Sequence, residues 1–524
     1  MASHEKVDLV IVGAGPAGSI YADAATRAGR TVVLLEFGPD RQDKDLISSE
    51  IWARRLKHAP PHELAGRNPV AVVFQAGWGA GGSMNHFFAN FPRLLPSDFH
   101  ARSLYGKGSD WPIGYDDLAP YYDRVARGIG VSGDAAQEQR WRPVDAAYPM
   151  PPLQSFRHGE IWRDAFEASG IPLAPMPAAI NSTEYDGRPG CMNDGWCHAG
   201  CPIGAIGSPK WNYLGAARSR GAEFRPFSTV SRILTSADGR HATGVEYFDD
   251  RGERNVQEAS AVVLAAFAAE TPRILLNSAN AKHEQGLANG SGLVGRNVMC
   301  HTGASVWAIF DEPVQNYLGT TAAQFMAYVG YPKNRSEGGF GSALWTMGAA
   351  LKPNGGLAGA RPDLFGPALA DFMKRAAHGL TRISFYGEEM PRPENRVELS
   401  GRKDEHGFPI ARITHAFDQD ARDLWRATTE QGLEIARRAN AREVWAGTGP
   451  EPPTIHIIGG TMMGTSAANS VANSYGQTHE VANLFLGGAG LFPTEGPVHP
   501  TNTLMALALR GAEYMTSNWG SISG

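Results

Sequence analysis

Two kinds of residue in this chain could do chemistry: a glycine array followed by an acid, and imidazoles set in apolar surroundings. The stretch GAGPAG, residues 13–18, directly follows the apolar run 7–12, and Glu36 ends a second apolar run, 31–35. Glycines at 13, 15 and 18 are spaced for a tight turn, for close approach of a pyrophosphate to the backbone, and for close packing of helix on strand. An acid about 20 residues further on accepts hydrogen bonds from ribose hydroxyls and repels a 2′-phosphate. This is dinucleotide chemistry, and both NAD and FAD fit it. His456 lies in TIHIIGGTMMG, residues 454–464. An imidazole there is either a buried ring bonded to a carbonyl or a proton-handling group. His499, just before Pro500 and close to Gly496 and Pro497, either caps a helix or faces a ligand. Cys191, Cys197, His198 and Cys201 lie within CMNDGWCHAGCPIGA. They leave three readings open: packed thiols, a zinc site, or three thiolates holding an iron–sulfur cluster.

These groups need elements to place them. The pattern predicts a buried strand over 7–12, a helix over 17–28 and a strand over 31–35, which is the order the fingerprint requires. Further on it predicts a helix over 115–127 interrupted by Pro120. Strands follow over 228–248, with a turn at Asp238 and Gly239, and over 259–265, followed by a helical stretch at 273–277. Residues 333–367 are rich in Gly and Pro and read as a mobile loop, a lid. Alternation in 322–331 and 381–389 predicts strands. The longest helix spans 418–439. At the end come a short strand at 483–486, a close-approach turn at Gly487, Gly488 and Gly490, and an alanine- and leucine-rich helix over 501–515. A fingerprint this near the start, with a last segment returning to the same site, favours a flavoprotein. Net charge is −5 over 524 residues, which speaks against nucleic acid or an anionic membrane surface as partner. There is no long apolar run and no secretory pattern, so the expectation is a soluble cytoplasmic protein.

The chain resembles the glucose-methanol-choline (GMC) oxidoreductases over nearly its whole length. The resemblance rests on GAGPAG with Glu36, GWGAGGSMNHF (77–87), VVLAAFAAETPRILLNS (262–278), HIIGGTMMG (456–464) and FPTEGPVHPTNTLMALALRGAE (492–513). FLGGAGLFPT followed by HPTNTLMALALR looks most like pyranose oxidases and bacterial glycoside 3-oxidases. The resemblance implies an α/β fold: an FAD-binding Rossmann-like domain from 1–95, 205–300 and 455–524, and a flavin-covering excursion over 96–204. A second α+β substrate domain, built on an antiparallel sheet, is expected over 301–454. It places His456 and His499 at the reactive edge of FAD, with His456 as base and His499 as orienting partner, roles that could be exchanged. Gly81, Gly82, Asn85 and His86 are expected at the flavin, His86 in contact with it or bonded to it. Val230 is expected at the adenine, and Gly490 and Thr501 at the cofactor. Gln324 and Tyr386 are candidates to reach a sugar. The implied reaction is oxidation of a ring secondary hydroxyl to a keto-sugar, position 3 ahead of position 2. Oxygen or another acceptor would then reoxidise the flavin. One alternative is a dehydrogenase subunit passing electrons through a cluster on Cys191, Cys197 and Cys201 to a cytochrome. Another is a nucleotide-binding scaffold without turnover.

Overall fold

The computed structural model describes residues 2–57, 59–70, 76–333, 339–352, 355–450 and 456–523. Strand Ala2–Val12 pairs in parallel with Val32–Leu35 on one side and Arg254–Leu264 on the other. Glu223–Arg225 extends the sheet beyond Val32–Leu35, and Leu484–Leu486 lies parallel to Arg254–Leu264. Thr229–Thr235 and Ala242–Phe248 continue it in antiparallel sense. Leu9, Val10 and Ile11 have no exposed surface, because both sheet faces are covered; hence the unbroken apolar run in the sequence. One face carries the helices Pro16–Arg27 and Thr501–Ser517. They approach closely because residue 511 is glycine: a Cβ there would lie 2.3 Å from Tyr21 Oη.

A second, six-stranded sheet runs in the order Glu443–Ala446, Thr302–Ile309, Leu380–Gly387, Ala343–Met347, Phe325–Val329, Ala174–Pro175. Its neighbours pair antiparallel. One face, with Val306, Trp345, Ile383 and Phe385, packs against Trp162 and Phe166 of helix Arg157–Ala168 and Ile435 of helix Gln419–Arg438. The opposite face carries Arg382, Ser384 and Tyr386, by the two-residue alternation of a strand. A third, small sheet joins His62–Ala65 to Arg396–Lys403 and Pro409–Thr414.

Three expectations need correction. The described residues of 333–367 are not one mobile loop: they contribute the strand Ala343–Met347, and Lys333 is fully buried between Asp98 and Glu388. Residues 334–338 and 353–354 of that stretch lie outside the described residues, as do Thr454 and Ile455. The helix Tyr115–Ile129 runs through Pro120 without interruption. Within the excursion 96–204, Ala174–Pro175 forms an edge strand of the antiparallel sheet and Tyr115–Ile129 packs on Thr501–Ser517, so this segment ties the two sheets together. Among the described residues no helix is long and apolar enough to cross a membrane.

Candidate active site

The glycine array forms a cradle. Gly13 has φ +95°, and a Cβ on it would lie 2.5 Å from the Ala265 carbonyl oxygen. A Cβ on Gly18 would lie 1.9 Å from the Gly13 carbonyl oxygen and 3.1 Å from Ile11, so helix and strand touch there. A Cβ on Gly15 would meet nothing within 4 Å; this is the position left open for a ligand. Glu36 sits at the strand end, buried, and accepts N–H bonds from Ala14 (2.8 Å), Gly38 (2.8 Å) and Gly79 (2.9 Å). Burial raises its pKa, and the three N–H groups oppose that shift.

Two adjoining cavities share Gly13, Glu36, Trp78 and Ala266. One, of about 340 Å³, is lined by Val12, Ser228 and Val230. The other, of about 190 Å³, holds Gly15, Gly82, His86, Thr501, His456 and His499. Thr501 opens the helix Thr501–Ser517, so free N–H groups and the positive end of a helix dipole lie at this wall. A long paired cavity, a glycine cradle with one open face, and a helix N-terminus fit a dinucleotide.

His456 and His499 line the second cavity, and Tyr386 stands against both. The His456 and His499 centroids are 5.0 Å apart, and Tyr386 stands 5.1 Å from the first and 4.4 Å from the second. Their hydrogen bonds fix the tautomers. His301 Nε2 is 2.7 Å from the Gly496 carbonyl oxygen, which can only accept, so His301 carries its proton on Nε2. His301 Nδ1 then accepts, and its partner at 3.1 Å, His456 Nδ1, must donate. His456 is left with a lone pair on Nε2. For His499 the result is opposite. Asn90 Oδ1 accepts from the Ala323 N–H (2.9 Å), which orients the amide so that Nδ2 donates to His499 Nε2 at 3.0 Å. His499 therefore carries its proton on Nδ1, which has no partner among the described residues. Burial keeps all three rings neutral: His456 is held well below 6.5, His301 falls to about 4 and His499 to about 3. The site thus offers one proton acceptor and one donor, side by side.

His86 is buried, its Nε2 has no partner among the described residues, and burial with the charge of Lys57 lowers it to about 3. Its Nε2 is wedged against Gly77, where a Cβ would come within 2.3 Å. Gly82 lines the cavity beside Gly15, but Gly81 and Asn85 stand behind it. Asn85 donates to the Ala80 carbonyl (2.6 Å) and accepts from Ser208 (2.8 Å), a loop-building role. Gly490 also lies off the wall, against Thr461; Gly488 and Ala489 line the cavity in its place. Gln324 does not reach the site: its amide is spent on Phe156, Gly348 and His158, facing helix Arg157–Ala168. The sequence reading missed His301 and Asn90. His301 carried the same signal as His456, an imidazole in an apolar run (MCHTGASVWAI).

Cys191, Cys197 and Cys201 line one small cavity, and all are free thiols. Burial lifts Cys191 to about 12 and Cys197 to about 11. Among the described residues no group of three or more His, Cys, Asp or Glu side chains is arranged to hold a metal ion.

Two family models described as GMC oxidoreductase match residues 10–303 and 391–508. The chain is similar to the fructose dehydrogenase large subunit of Gluconobacter japonicus, 30% identical over 98% of each chain. It is also similar to paromamine 6′-oxidase of Streptomyces fradiae, 28% identical over 98% of this chain and 91% of that one. The fold superposes on pyridoxine 4-oxidase from Mesorbium loti with a TM-score of 0.68 at 19% identity, covering 97% of this chain and 98% of that one.

Proposed function

The chain belongs to the GMC oxidoreductases, and from that premise we propose that it oxidises a ring secondary hydroxyl of a pyranose or glycoside to the keto-sugar, with FAD as cofactor. The observation that carries this reading is the complementary pair in the cavity wall, a bare Nε2 on His456 and a free Nδ1–H on His499. The cradle of Gly13, Gly15 and Gly18 with Glu36 would hold the ADP half, Val230 the adenine, and Gly82, His86 and Thr501 the flavin half. FAD, when bound, supplies the hydride acceptor.

The chain supplies proton handling and orientation. His456 Nε2 takes the hydroxyl proton as the carbon–hydrogen bond breaks. His499 Nδ1–H donates to the substrate oxygen and stabilises the charge that develops there. Tyr386, in contact with both rings, walls the space between them. His301 acts through His456, holding its proton on Nδ1. Attack at position 3 ahead of position 2 is supported by the resemblance of residues 485–494 and 499–510 to glycoside 3-oxidases. The similarity to fructose dehydrogenase and paromamine oxidase supports a polyhydroxylated substrate. The test is an anaerobic screen of sugars and glycosides with flavin bleaching as readout and the product identified by NMR. A screen in which aliphatic alcohols bleach the flavin and no sugar does would overturn the substrate class.

The alternative expectation, a dehydrogenase passing electrons through a cluster on Cys191, Cys197 and Cys201, does not fit these residues: the thiols share one small cavity, but burial disfavours the thiolate of Cys191 and Cys197, and among the described residues no such group is arranged to hold a metal ion. Iron and acid-labile sulfide analysis of anaerobically purified protein separates the two readings: flavin alone supports a self-contained enzyme.

A further inference from the structure

The sheet face that carries Tyr386 also carries a cation that has no counter-charge among the described residues. Arg382 and Ser384 precede Tyr386 at two-residue steps on strand Leu380–Gly387, so all three side chains stand on the face opposite helices Arg157–Ala168 and Gln419–Arg438. Arg382, Ser384 and Tyr386 line one small cavity with Thr346 and Asn90. Asn90 is the residue that orients His499, so this cavity abuts the larger one beside that ring. The Arg382 guanidinium lies over the Trp307 ring, 5.1 Å from its centroid, and Trp307 is its cross-strand partner. Among the described residues it has no carboxylate in ion-pair range and no hydrogen-bond acceptor. Nearly every other arginine at an inner position of this protein has one: Arg93 with Asp123, Arg142 with Glu138, Arg273 with Glu270 and Asp404.

Arg382 is half-buried, so its guanidinium loses part of its hydration without gaining a charged partner, and contact with a ring face offsets only part of that. Its planar fork matches a carboxylate. Four residues along a strand span about 13 Å, and Arg382 lines the same small cavity as Tyr386. The partner group therefore sits about one sugar ring beyond the carbon held between His456 and His499. Resting on the reading of the site given above, we propose that Arg382 is a specificity residue that receives a carboxylate on the substrate, so that the enzyme prefers a sugar acid or a glycoside with an acidic aglycone over the neutral counterpart. Ser384 and Thr346, on the same cavity wall, complete its polar lining.

The test uses the FAD-loaded enzyme and two matched pairs, phenyl β-D-glucoside with 4-carboxyphenyl β-D-glucoside, and glucose with glucuronate. Anaerobic flavin reduction gives the rate and the apparent affinity for each. The expected result is that in at least one pair the acid binds more tightly, and that Arg382→Gln weakens the acid by about 30-fold or more while changing the neutral compound little. Arg382→Lys should restore part of the preference, and it guards against a folding defect in the first variant. Calorimetric binding of the same compounds to His456→Ala reads the preference without turnover. Equal handling of acid and neutral compound in both pairs, or equal weakening of both by Arg382→Gln, overturns the assignment. If no compound of either kind reduces the wild-type flavin, it is the sugar-oxidising reading that fails, and calorimetry still decides the carboxylate preference.

Discussion

At the scale of single residues, the site is a contrast between two imidazoles made unlike by what stands behind them. Gly496 and His301 leave His456 an acceptor; Asn90 leaves His499 a donor. Replacing His456 with alanine should keep bound flavin and slow sugar-driven reduction by about 10³-fold, within the usual range for a general base; stopped-flow reduction under nitrogen measures it. Burial already holds His456 neutral below 6.5, so the limiting reduction rate should stay flat as pH falls from 7 to about 5. A rate that titrated near 6.5 would mean an ordinary, solvated base. His86 presents its Nε2 to Gly77 and is expected to touch the flavin without bonding it. Acid precipitation should then release all the yellow colour to the supernatant. The sequence made His456 and His499 legible because each sits in a motif with its own spacing. His301 and Asn90 were not, since they work through partners 155 and 409 residues away, and only the fold brings those distances to hydrogen-bond length.

At the scale of elements, the strand–turn–helix that opens the chain does two separable jobs. Gly18 lets the helix Pro16–Arg27 sit on the sheet, and a Cβ there would overlap the Gly13 carbonyl. Gly18→Ala should therefore destabilise the apoprotein itself, by a few kcal/mol as for an overpacked core, and lower its urea midpoint. Gly15→Ala adds its methyl to open space, so the apoprotein should melt as before while the FAD dissociation constant rises, by about ten-fold or more; fluorescence titration of the flavin reads this. These elements were legible because parallel strands buried on both faces read as unbroken apolar runs. The strand Ala343–Met347 was not. Its five residues are all buried, so no alternation marks it, and the surrounding glycines and prolines read as loop.

At the scale of the whole molecule, the excursion is tied to the antiparallel sheet by buried charge. Lys333, with no exposed surface, bonds Asp98 of the excursion at 2.7 Å and Glu388 just past the end of the central antiparallel strand. Removing the cation leaves two carboxylates facing each other in the dark of the core, so Lys333→Met should cost about 3–5 kcal/mol, seen as early loss of tertiary signal in thermal unfolding. Five buried histidines stay neutral: His86 and His499 at about 3, His158 and His301 at about 4, and His456 well below its ordinary value. The unfolded chain protonates them near 6.5, so between 6.5 and about 4 it binds more protons than the folded one. Stability should fall with pH across that window, by up to about 1.4 kcal/mol per pH unit for each ring. The bond from His301 to the Gly496 carbonyl has one more consequence. A carbonyl cannot relay a proton onward, and burial pushes the Glu495 carboxyl, 4.0 Å from His301 Nε2, well above the usual carboxylate range, which makes it a poor proton acceptor. Among the described residues the inner route goes no further, so a proton captured by His456 is expected to depart through the mouth by which the sugar enters. Each reduced molecule then stays one proton richer until its ketone leaves, and a pH indicator in weak buffer should lag behind flavin bleaching.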